Sequence, residues 1–103
     1  MVDRNNRRLP HECTDISQVR KEIDAIDMEI IQLLSERFGY VREVVKYKEC
    51  TDTGIEASDR RVAVIESRRS WAGEAGLSPD VIENIYNTLI DYFIDEEKKI
   101  MQR

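Results

Sequence analysis

The chain is 103 residues long, 41% hydrophobic and 36% charged, with a formal net charge of −5 at neutral pH. That length holds one domain, and four Gly with two Pro leave little material for the turns of an all-β fold. The acidic balance argues against a nucleic-acid binder, and no apolar run approaches the ~18 residues of a membrane span.

The chain begins with a polar stretch, residues 1–12, which reads as a flexible tail with no apolar signal-peptide core. Residues 13–103 read as one helical domain. Asp15 has the character of an N-cap, and Gln18, three residues on, completes a capping box. From there apolar residues recur at helical spacing: Ile16, Val19, Ile23, Ile26, Ile30, Leu33 or Leu34, Val41 and Val44. The pattern predicts a helix from Asp15 to Tyr47 or Lys48, about 33 residues and roughly 50 Å long. Such a helix is longer than a compact globule of this size is wide, so one subunit cannot cover its whole stripe.

Residues Glu49 to Ala57 read as a loop, rich in turn formers at Thr51, Asp52, Thr53 and Gly54. Ser58 caps a second helix that carries Val62, Ile65, Arg69 and Ala72 and stops at Gly76. Ser78 and Pro79 restart the chain as cap and first helical residue. A third helix then carries Val81, Ile82, Ile85, Leu89, Tyr92, Phe93, Ile100 and Met101 to about Gln102. The fold class is all-α: three helices, long, short and medium. Trp71, Tyr92 and Phe93 read as packing, and Asp24, Asp27, Glu29 and Glu36 as a solvated face.

The parts for nucleophilic or metal chemistry are missing. His11 is the only histidine, Cys13 and Cys50 make no disulfide framework, and there is no phosphate-binding Gly-rich loop. Two unpaired thiols point to a reducing, cytoplasmic setting. What remains is cations where apolar residues belong. Arg37 and Lys48 interrupt the stripe eleven residues, about three turns, apart and so on one face. Arg60 opens the second helix, where the helix dipole adds positive potential. An apolar seam ending in inward cations points to a buried anion site. The plainer reading is that these cations snorkel or pair with nearby acids. Arg20 lies seventeen residues before Arg37, about 25 Å along one helix and ~100° round it. It cannot join Arg37 on one small ligand of the same chain, but it can do so from a second chain whose long helix runs antiparallel.

The run ECTDISQVRKEIDAIDMEIIQLLSERFGYVREVVKYK, then DRRVAVIESRRSWAGEAGL, then a helix containing FIDEEKKI, resembles the all-helical chorismate mutases. Within them it most resembles the isochorismate-pyruvate lyase branch. The resemblance spans about residues 12–102. It implies an intertwined homodimer of three-helix subunits, without metal or cofactor, acting on a small dicarboxylate. Carried over residue by residue, Arg20 is the cation borrowed from the partner and Arg37 binds a substrate carboxylate. Lys48 reaches a carboxylate and the ether oxygen, and Arg60 lies at the polar edge of the substrate. Glu97 stands where many mutases have a Gln that donates to the ether oxygen. Arg61 stands where mutases have a Glu that holds the ring hydroxyl, and Phe93 replaces a small hydroxyl residue. The last two departures lean toward the lyase branch.

The resemblance thus implies a chorismate mutase, with isochorismate-pyruvate lyase as the alternative. A helical dimerisation module, or a regulatory subunit that needs a partner, is the reading from outside enzymology.

Overall fold

The computed structural model describes the backbone of residues 7–47 and 54–101, and the side chains of residues 7–47 and 59–100. Three α-helices make up the fold: α1 (Ile16–Val44), α2 (Gly54–Glu74) and α3 (Pro79–Met101). Among the described residues there is no strand. Among the described residues no helix is long and apolar enough to cross a membrane. The chain divides into two compact units, residues 1–40 and 41–103.

In the first unit, α1 starts where its sequence provides a cap. The Gln18 N–H donates to Asp15 Oδ1 at 2.8 Å, and the Gln18 side chain accepts from the Thr14 N–H at 2.9 Å. The reciprocal arrangement satisfies two backbone donors, with the back-bond landing one residue before the cap. The preceding segment, expected as a loose tail, is tied to the helix where it is described. Arg7 pairs with Glu29 at 2.7 Å, the Arg8 N–H donates to Glu22 at 2.6 Å, and Pro10–Glu12 form a 3-10 turn. Glu29 is therefore half-buried, not part of a solvated face. The strap occupies the flank of α1 and leaves its apolar stripe open. Ile16, Val19, Ile23, Ile26, Ile30, Leu33 and Val44 are between 37% and 63% exposed in the single chain. α1 ends at Val44, and the chain tightens into a 3-10 turn over Val45–Tyr47, the usual way to satisfy orphan carbonyls at a helix end.

In the second unit, α2 and α3 form an antiparallel hairpin. α2 begins at Gly54, four residues ahead of the expected Ser58 start, so the expected loop over Glu49–Ala57 is helical in its last four residues. Ile55, Glu56 and Ala57 favour helix, and that propensity outweighs the preference of Ser58 for a cap. Lys48, Cys50 and the first part of that loop lie outside the described residues.

The turn between the helices is closed by backbone geometry. Gly76 has φ +80, the Leu77 N–H donates to the Ala72 carbonyl at 2.8 Å, and the Gly76 N–H to the Gly73 carbonyl at 3.2 Å. This is a Schellman closure, and it needs a left-handed residue at Gly76. Ser78 then caps α3, its hydroxyl accepting from the Val81 N–H at 3.3 Å, with Pro79 at the first helical position.

The hairpin buries Val64, Ala72 and Phe93, and three arginines of α2 reach across it. Arg69 Nη1 lies 2.8 Å from both Asp80 and Glu83. The hydrogen bond to Asp80, opposed by desolvation and supplemented by Glu83, raises Arg69 above its ordinary value, so it stays charged. Arg68 stacks between aromatic rings, 4.7 Å from the Trp71 centroid and 5.5 Å from that of Tyr86. Trp71 and Tyr92 are themselves more than half exposed, so of the three aromatics expected to pack only Phe93 is buried. Arg61 makes the third crossing, to Asn87 and Asp91.

A Cβ added at Gly76 or at Gly73 meets nothing within 4 Å, so backbone conformation alone decides the outcome of substitution. Gly76→Ala should cost about 1–2 kcal/mol, the penalty for a left-handed non-glycine residue. Gly73→Ala, within helix α2, should stabilise by about 0.5–1 kcal/mol. Urea unfolding of the two variants should move the midpoint in opposite directions.

Candidate functional site

The stripe of α1 carries the first group of candidates. α1 is unbroken through Gly39, so Arg20 and Arg37 are held on one rigid rod. Seventeen residues of helix separate them by about 25 Å and ~100°. Arg20 is exposed and Arg37 half-buried. No rotamer change brings two side chains across that distance, so the two cannot grip one small molecule within a chain. Lys48 lies outside the described residues.

Arg60, Arg61, Phe93 and Glu97 belong to the α2–α3 hairpin. Arg60 is exposed and lies six residues into α2, beyond its first turn, so it does not open the helix as expected and gains little from the helix dipole. Phe93 and Glu97 are four residues apart on α3 and so on one face. Phe93 is only 6% exposed and is part of the hairpin core, its ring 5.2 Å from that of Tyr92. Glu97, one turn further, is half-buried.

Arg61 is engaged within the hairpin. Its Nε and Nη2 donate to Asn87 Oδ1 at 3.3 and 3.0 Å, and its Nη1 to Asp91 Oδ1 at 2.8 Å. Asn87 and Asp91 were not candidates from the sequence. Their four-residue spacing on one face of α3 was a readable signal, but which arginine faces them depends on the register of two helices.

α1 offers cations, and the hairpin offers cations and one carboxyl group; a guanidinium of either can bind an anionic group.

A sequence profile of the chorismate mutase type II family matches residues 19–98. The chain is 33% identical to an isochorismate pyruvate lyase of Pseudomonas aeruginosa over 92 residues, 89% of this chain and 90% of that protein. It is 39% identical over 70 residues to the T-protein of Haemophilus influenzae, covering 68% of this chain but 19% of that protein. A bifunctional chorismate mutase/prephenate dehydratase of Aquifex aeolicus is 30% identical over 89 residues, 84% of this chain and 25% of that protein. The chain belongs to the chorismate mutase type II family.

Proposed function

We propose that the chain is a homodimeric pericyclic enzyme that rearranges chorismate to prephenate without metal or cofactor, in a site completed by Arg20 of a second copy. The observation that carries this reading is the placement of Arg20 and Arg37 on one unbroken helix whose apolar stripe is exposed. The cations fit a dicarboxylate only if a second α1 supplies one of them, and the stripe gives that second α1 a surface to pack on.

The chemistry suits the residues. The rearrangement needs no nucleophile and no obligatory base. It needs a flexible dicarboxylate held in a compact reactive conformer, and donors aimed at the ether oxygen as the C–O bond breaks. In this reading Arg37 and the second copy's Arg20 bind carboxylates through bidentate forks. Lys48 reaches a carboxylate and the ether oxygen, Arg60 the polar edge of the substrate, and Glu97 the ether oxygen from the other side. Phe93 limits the room beside Glu97.

A second reading, loss of pyruvate from isochorismate, is favoured by a specific observation. The match to the lyase runs over nine-tenths of both chains. One assay separates the readings: the purified chain is given chorismate or isochorismate, and prephenate and salicylate are followed. Prephenate from chorismate supports the first reading. Salicylate from isochorismate alone selects the second, and no product from either substrate contradicts both.

Glu97 allows a further test. An ionised carboxylate can only accept a hydrogen bond and repels developing negative charge, so only protonated Glu97 can donate to the ether oxygen. Glu97→Gln places an amide donor at the same position and should raise turnover, whereas Glu97→Ala should not. Equal turnover in the wild type and both variants would show that Glu97 does not face the ether oxygen.

A further inference from the structure

The crossings of the hairpin fix how α2 and α3 sit along one another. Arg69 marks the turn end, opposite Asp80 and Glu83. Eight residues earlier, about two turns, Arg61 lies opposite Asn87 and Asp91. Arg60 neighbours Arg61 at the same level of the hairpin, and Glu97 lies six residues, about 9 Å, beyond Asp91 on α3. Among the described arginine crossings Arg61 is the farthest from the turn, and the relative height of α2 and α3 that it sets determines how far Arg60 stands from Glu97.

Three features distinguish this crossing from an ordinary surface ion pair. It is bridged, with one planar guanidinium holding two side chains a helical turn apart. Arg61 is two-thirds buried, its side chain 32% exposed. Both donors on its Asn87 side converge on a single oxygen, which fixes the plane of the fork.

Exposed ion pairs add little stability, and Asp91 is 67% exposed. Two rigid contacts at different heights on α3 do, however, oppose axial sliding of one helix on the other. A displacement of about 1 Å can cost a reaction that depends on positioning ~10²-fold.

We infer that Arg61 is a positioning residue: by clamping α2 to Asn87 and Asp91 it sets the axial register of Arg60 against Glu97, and it does not bind substrate itself. This rests on the pericyclic reading for its kinetic consequence, but the clamp itself is testable without turnover.

Two measurements test it together. First, Arg61→Ala, Arg61→Lys, Asn87→Ala/Asp91→Ala and the triple variant are assayed at a temperature where all are folded. A clamp predicts that kcat falls by about 10–100-fold with KM little changed. It also predicts the same loss in Arg61→Ala and Asn87→Ala/Asp91→Ala, and no further loss in the triple variant. Arg61→Lys should not rescue, because a point charge cannot bridge both partners. A raised KM in Arg61→Ala alone, restored by Lys and absent in Asn87→Ala/Asp91→Ala, would make Arg61 a substrate ligand and overturn the inference. So would a lowered melting temperature with unchanged kinetics.

Second, spin labels are placed on the exposed positions of Asp59→Cys and Asp95→Cys, with Cys13 and Cys50 replaced by Ser and the labelled chain diluted in unlabelled chain. The clamp predicts one narrow distance that broadens or shifts in Arg61→Ala. An unchanged distance distribution would refute it. If the wild-type chain turns over neither substrate, the pericyclic reading fails, and the spin-label distances still decide the clamp.

Discussion

An α-helix cannot bend two distant side chains onto one ligand, and much of this protein's organisation follows from that rigidity. α1 runs without a break from Ile16 to Val44 and carries Arg20 and Arg37 about 25 Å apart. It also presents a stripe of half-exposed aliphatic residues. Burying such side chains contributes on the order of 1.5–3 kcal/mol each, far more than any exposed ion pair in the chain. The N-terminal strap does not cover the stripe, because Arg7 and Arg8 engage Glu29 and Glu22 on the flank. In the proposed dimer, a second α1 laid antiparallel would cover the stripe and would bring to Arg37 the Arg20 that its own chain cannot bring there, so that assembly and site completion become one event.

Under the proposed pericyclic function, the α2–α3 hairpin answers a different physical need. A pericyclic reaction gains from orientation and from fixed dipoles, not from a reactive side chain. Orientation requires helices that hold their relative heights. The Schellman closure at Gly76 fixes one end, and Arg69, Arg68 and Arg61 fix successive levels along the seam. Among the described residues only Val64, Ala72 and Phe93 are buried there. With so small a core within the hairpin, polar crossings carry much of the definition of register.

How much of this was legible in the sequence follows from the range of each signal. The start of α1 at Asp15 and Gln18 and the turn at Gly76, Ser78 and Pro79 were readable, because caps and left-handed glycines act within a few residues. The start of α2 was misplaced: Ser58 looks like a cap, yet Gly54–Ala57 are already helical. A cap preference competes with propensity, and sequence alone does not say which wins. The strap from Arg7 to Glu12 was missed because its partners lie 14 and 22 residues away. The partners of Arg61 were missed for the same reason. Arg20 and Arg37 were legible as cations on a helix with an apolar stripe, whereas Arg60 was misplaced at a helix start, because α2 begins six residues before it.

The central claim is that one site draws Arg37 from one chain and Arg20 from another. Its most direct test is complementation between Arg20→Ala and Arg37→Ala. Each variant alone should lose about 10²–10³ in rate while keeping its helical circular-dichroism signal. Mixed under conditions where subunit exchange is verified by mass, they should regain turnover far above either alone, because each mixed dimer rebuilds one site with both arginines. Verified exchange with no return of activity would contradict the shared site.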